Sequence, residues 1–192
     1  IRLSLVGSEM CIRDRILAFA PITAGPIAVV LTVVFRTVRV VFIGVAPGVM
    51  GSWLLVAAMG YLGAPLGITT MVLPSIILAL GCAYAMHLLA AASEADAADG
   101  ADPTPEALEA ALRRVTLPVA LSGLTTVIGF VSITVVRIEA VRSTGGYGAL
   151  GVLVVTAVSL TLLPAALALR PLRGATPRGF ETVRELSLIH IS

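Results

Sequence analysis

Five long apolar runs, at residues 16–35, 40–61, 69–92, 116–136 and 145–169, are separated by short polar, glycine-rich or proline-rich links. A helix rises about 1.5 Å per residue, so about 20 residues cross the roughly 30 Å hydrocarbon layer of a bilayer. Each run meets that length and stops at charge, glycine or proline. Backbone groups in lipid must be satisfied within the segment itself, which selects helices. A membrane β-barrel would show shorter segments of alternating polarity instead. The pattern predicts an all-α membrane protein built as a bundle of five transmembrane helices.

The run from Ile68 to Ala92, ITTMVLPSIILALGCAYAMHLLAAA, is predicted to be the central helix. It carries a cluster of small and polar groups, Gly81, Cys82, Ala83, Tyr84 and His87, that lipid does not favour. Small residues let helices approach closely, and intramembrane polar groups usually face a bundle interior. On the same grounds Gly123 and Gly129 in the fourth run, and Gly148 and Gly151 in the fifth, are expected to be packing surfaces. Pro118 is expected to open the fourth run, where a missing N–H costs little. Pro74 and Pro164 mark kinks or endings.

Composition agrees with the pattern. The chain is 58% hydrophobic and only 12% charged, with a mean hydropathy of +1.03, whereas about a quarter of the residues in a soluble domain are charged. It has no lysine, no basic stripe, no aromatic stacking platform and no glycine-rich phosphate loop, so nucleic acid is not an expected partner. The arginines set the orientation. Arg36, Arg39, Arg113, Arg114, Arg170, Arg173 and Arg178 fall on one side, against Arg137 and Arg142 on the other. By the positive-inside rule the richer side is cytoplasmic, which puts the loop 93–115 (Ser93 to Val115) in the cytoplasm of a multi-pass inner-membrane protein. The first half of that loop, SEADAADGADP, reads as solvated and irregular. Its second half reads as a short helix with Thr104 as cap, Pro105 in the first turn, and Leu108, Leu112 and Val115 on one face. That face is expected to lie on the membrane surface or to pack under the bundle.

The two ends are set aside from the fold. A DNA that encodes LVGSEMCIRD, at residues 5–14, has a reverse complement that encodes LSLIHIS, at residues 186–192. Opposite strands of one oligonucleotide at both ends resemble a sequencing-library adapter, so residues 1–15 and 186–192 are read as translated artefact. Residues 16–170 then form the transmembrane domain, and 171–185 form a cytoplasmic linker. Cys82 and His87 remain as the only cysteine and histidine, too few for a disulfide or a usual zinc site. No cofactor is expected.

Three blocks carry a resemblance: PSIILALGCAYAMHLL, ALRRVTLPVALSGLTTVIGFVSI and VRSTGGYGALGVLVVTAVSLTLLPAAL. In this order, and above all in GLTTVIGF (Gly123 to Phe130) and SLTLLPA (Ser159 to Ala165), they resemble the membrane half of RND-superfamily transporters. They are most similar to the MMPL-like and hopanoid-type exporters, whose membrane core resembles the sterol-sensing domain. The resemblance covers nearly all of residues 16–170. It implies the second to sixth helices of one six-helix half, with the first helix, the extracytoplasmic porter domains and the other half elsewhere in the protein. It also implies export of lipids or other hydrophobic compounds driven by the proton gradient, with membrane lipids and a hydrophobic substrate as partners.

The resemblance also implies a proton relay within a pattern like G-x-D-Y-x-x-H. Gly81, Tyr84 and His87 match it, but the aspartate position is Ala83. Ala83, Tyr84 and His87 share one helix side, so three readings stand: the relay lies elsewhere, His87 substitutes, or coupling is not of the usual kind. His87 is read first as a group near the helix end that caps or bonds a neighbour, and second as a titratable relay. Thr125 and Thr126 are candidate helix-interface hydroxyls, read first as bonding their own helix. Two other classes bear on function. Ser122 with His87 is arithmetically a hydrolytic dyad, but no carboxylate lies in a span to orient it, so the chain is not read as an enzyme. A sterol-sensing-like bundle that binds lipid or scaffolds a partner without proton coupling is the alternative to an exporter.

Overall fold

A computed structural model of the chain describes residues 38–63, 69–99 and 104–169, with further helical positions at Ile22, Gly25, Pro26, Val29 and Thr32. Most of the first predicted span, both terminal strings and the linker 171–185 lie outside the described residues. Four helices follow one another: α1 (Val38–Tyr61), α2 (Leu73–Asp99), α3 (Pro105–Ile133) and α4 (Glu139–Leu169), with a single 3-10 turn at Thr70–Val72 leading into α2. No strand occurs among the described residues. All four helices are long and apolar enough to cross a membrane. The protein is an all-α, multi-pass membrane protein.

The centre of the bundle is the pair α2 and α4. Each packs on the other and on both α1 and α3, which share no comparable contact with one another. Half of the membrane-spanning part of α2 is buried, against 11% for α3, so α2 is the central helix and α3 an outer one. Two buried clusters sit at successive levels. One joins Val40, Leu88, Leu89, Leu112, Leu163 and Leu167; the other joins Leu55, Leu73, Ile77, Val119, Val152 and Val155. The start of α1 and the end of α4 meet at the first level with the later part of α2, so α1 runs antiparallel to both α2 and α4, which are parallel to each other. The outer face of α3 presents Leu117, Leu121, Leu124, Ile128 and Val131. An apolar stripe of that length would invite aggregation in water, whereas lipid solvates it.

Cross-helix polar bonds are few. The Ser52 hydroxyl lies 2.8 Å from the carbonyls of both Gly48, on its own helix, and Pro74, in the first turn of α2. Its single proton is shared between a local acceptor and one that ties α1 to α2. Thr69 donates to the Ala140 carbonyl at 3.3 Å, linking the approach to α2 with the first turn of α4.

The structure departs from the sequence pattern at four places. First, α2 does not stop near Ala92 but runs on to Asp99. Three of the seven residues from Ser93 to Asp99 are alanine, the strongest helix former, and the first strong breaker is Gly100. Ser93 is fully buried and donates to the Ala90 carbonyl at 2.8 Å. Second, the short helix expected in the second half of the loop 93–115 is not separate, because α3 runs without a break from Pro105 to Ile133. Third, Pro118 therefore sits inside α3 and not at its start. Fourth, Gly129 packs against nothing: a methyl placed there meets no atom within 4 Å. Gly123, Gly148 and Gly151, by contrast, lie against Thr156, Phe130 and Ile77.

The beginning of α3 is built as its sequence implies. Thr104 accepts from the Ala107 N–H at 3.3 Å, Pro105 occupies the first turn and Glu106 adds negative charge there. Leu112 is buried, and Leu108 and Val115 pack against the first core cluster, so this face lies under the bundle.

Candidate functional site

Helical periodicity places a groove between α2 and α3. From α2 come Leu80, Ala83, Tyr84 and His87; from α3 come Val115, Pro118, Val119 and Ser122. Both sets have the spacing i, i+3, i+4, i+7, which is one stripe of an α-helix. The stripes face each other across a cavity of about 230 Å³. Three of the five residues singled out from the sequence, Ala83, Tyr84 and His87, are therefore brought to one place.

They are not equivalent within it. Tyr84 is buried at 3% exposure, among the residues of the second core cluster. Its hydroxyl oxygen is shielded and has no hydrogen-bond partner among the described residues. Leaving such a group unsatisfied costs about 1–3 kcal/mol. Ala83 and His87 are exposed on the outer side of the same stripe. The cluster expected to point into the bundle is thus divided: Gly81, Cys82 and Tyr84 are inside, and Ala83 and His87 are on its flank. His87 also does not cap a helix end, because α2 continues for three further turns to Asp99.

Thr125 and Thr126 are not part of the groove lining. Both donate to the carbonyl of Ser122 on their own helix, at 2.9 Å and 2.8 Å. Their hydroxyls are thereby satisfied locally, which is the structural role expected first of them. Ser122 was legible only as a member of an arithmetic dyad. It does share the groove with His87, but among the described residues no hydrogen bond joins the two and no carboxylate lines the cavity. Nucleophilic hydrolysis needs a base within hydrogen-bond reach of the hydroxyl and a third group to orient that base. Among the described residues, no group of three histidine, cysteine, aspartate or glutamate side chains is arranged to hold a metal.

A second buried hydroxyl, that of Ser159 on α4, also has no partner among the described residues. The SLTLLPA block was read for its resemblance alone; the orphaned hydroxyl at its first position is visible only in three dimensions. The other feature that sequence reasoning passed over is a hollow of about 960 Å³ at the link between α3 and α4, lined by Arg137 and Arg142 among others. The arginines had been used only to orient the chain.

The comparisons with known proteins agree with this architecture. No solved structure matches the chain. A protein of Methanocaldococcus jannaschii described as a membrane protein is 35% identical over 108 residues, which is 56% of this chain and 27% of the relative. The chain thus spans little more than a quarter of that relative's length. The MMPL family model matches residues 5–184, a range that takes in all four described helices and also the stretch 5–14 set aside above. The chain belongs to the MMPL family.

Proposed function

We propose that the chain is the membrane core of an inner-membrane exporter that moves lipids or other hydrophobic compounds and draws on the proton gradient. The observation that carries this reading is the family match over a bundle of spanning helices whose central helix keeps the tyrosine and histidine of the relay pattern beside one cavity. In the proposal, the α2–α3 groove is not itself the proton relay. Ala83 stands where the relay pattern has aspartate, and among the described residues no carboxylate lines the groove to hold a proton within lipid. Relay carboxylates then belong elsewhere in the whole protein. The orphaned hydroxyl of Tyr84 supports a structural or gating role for the groove that is completed by a partner group from outside it.

In the same proposal the α2–α3 link is cytoplasmic and the α3–α4 link lies outside, a reading supported by the arginine asymmetry. An intramembrane hydrolase is disfavoured because, among the described residues, no hydrogen bond joins the Ser122 and His87 side chains. The missing aspartate favours one competing reading, a lipid-binding bundle of sterol-sensing type without proton coupling. Vesicles reconstituted with the whole protein and loaded with a fluorescent lipid analogue separate the two. The exporter moves the analogue when a proton gradient is imposed and stops when an uncoupler collapses it. Binding of the analogue with no gradient-dependent movement would leave the lipid-binding bundle as the function.

A further inference from the structure

The end of the bundle away from the α2–α3 link carries a hollow of about 960 Å³ where α3 turns into α4. Arg137, Glu139, Arg142, Ser143, Gly146 and Tyr147 line its polar part. Among the described residues neither arginine is engaged in an ion pair or hydrogen bond, not even with Glu139, so the hollow holds two uncommitted guanidinium groups against one carboxylate. Leu62 and Leu150 line the same hollow and are 59% and 37% exposed. Leu150 lies one helical turn further into the membrane than Gly146, so the lining passes from charged to apolar along α4.

The floor of the hollow is held in place by backbone contacts. A methyl at Gly145 would lie 2.8 Å from the Phe130 carbonyl oxygen and 3.1 Å from the Thr134 nitrogen, so the end of α3 rests directly on α4. The Ile138 carbonyl accepts from the N–H groups of Val141 and Arg142, at 3.1 Å and 2.9 Å, which starts α4 beneath Arg137. Thr69 fastens the same turn through Ala140. Gly146, by contrast, has nothing within 4 Å of an added methyl and leaves the hollow open.

We propose that this hollow binds the phosphate headgroup of an anionic membrane lipid. Arg137 and Arg142 hold the phosphate, Ser143 and Tyr147 offer hydroxyls, and the acyl chains run along Leu150. Guanidinium groups bond phosphate oxygens in a planar fork, and tyrosine suits the boundary between water and lipid. The occupant is an amphiphile because the site is one: a bare anion would leave the apolar half of the hollow unused. This inference does not depend on export or on proton coupling.

The test uses the purified chain in phosphatidylcholine nanodiscs that contain a trace of spin-labelled phosphatidylglycerol or, separately, spin-labelled phosphatidylcholine. Immobilised phosphatidylglycerol is expected to exceed immobilised phosphatidylcholine by about tenfold. The pair Arg137→Gln and Arg142→Gln should remove that preference. Gly146→Leu should remove it too with every charge retained, since leucine fills the hollow in open space. A loss in both variants, with helical circular dichroism unchanged, supports the site. Equal retention of the two lipids by the unaltered chain, or a preference that survives Gly146→Leu, overturns it as mere attraction of anionic lipid to surface arginines. Displacement of the labelled lipid by millimolar inorganic phosphate would overturn the lipid headgroup as occupant.

Discussion

Gly48 of α1 and Gly81 of α2 meet backbone to backbone: a methyl on Gly81 would lie 2.6 Å from the Gly48 nitrogen. A methyl on Gly48 would in turn lie 2.5 Å from the Leu78 carbonyl oxygen. Neither neighbour is the end of a flexible side chain, so neither can give way cheaply. Helices in lipid gain no hydrophobic drive from associating and depend on such close approach. This crossing is therefore what seats α1 on the central helix.

Substitution at the crossing should be costly, and the same change where nothing is packed should not be. Gly81→Ala is expected to destabilise the bundle by about 1–3 kcal/mol, the usual range for overpacking. Gly129→Ala, with nothing within 4 Å, should be neutral or slightly stabilising, because alanine is the better helix former by about 1 kcal/mol. Denaturation in mixed micelles, followed by circular dichroism, measures both. Equal midpoints for the two variants would show that the crossing is not close.

The start of α3 offers a prediction outside the membrane. Thr104→Ala removes the oxygen that accepts from the Ala107 N–H and should cost about 1 kcal/mol in the same assay. Glu109→Gln breaks the Arg113–Glu109 pair, whose side chains are 79% and 62% exposed in the order arginine, glutamate. It should change stability by less than about 0.5 kcal/mol, as exposed pairs of this spacing contribute little. A larger loss at Glu109 than at Thr104 would contradict this ordering.

The all-α class and the four described spans were legible because lipid imposes a length and excludes unpaired backbone. What was not legible is where a helix goes once it leaves lipid. The residues from Ser93 to Asp99 are polar enough to read as loop, yet Ala95, Ala97 and Ala98 favour helix and α2 continues through them. Gly123 and Gly129 look alike in the sequence and differ only in their neighbours: Thr156 stands against the first and nothing against the second. At the candidate site, periodicity puts Ala83, Tyr84 and His87 on one stripe, and all three line the same cavity. It did not say that only Tyr84 would be covered, because that depends on how α3 crosses α2. The hollow at Arg137 and Arg142 was invisible for the same reason.

Topology is open to chemical labelling. With Cys11 and Cys82 replaced, a cysteine at Glu106 should resist an impermeant thiol reagent in intact cells, whereas one at Ile138 should react. Ile138 is 62% exposed and lies in the α3–α4 link. The opposite labelling pattern would invert the orientation.

In the function proposed above, the groove holding Tyr84 and His87 does not carry the proton. Proton-linked export by the whole protein in reconstituted vesicles, compared between the unaltered sequence and His87→Ala, tests it most directly. Among the described residues, a lone imidazole on the flank of α2 has no carboxylate in the groove to hand a proton to. His87→Ala is therefore predicted to keep its response to the proton gradient and to change the export rate by less than about threefold, well short of the loss of about 100-fold or more expected for a group that transfers the proton. Loss of gradient-driven export in His87→Ala, at normal expression and insertion, would instead make His87 the relay.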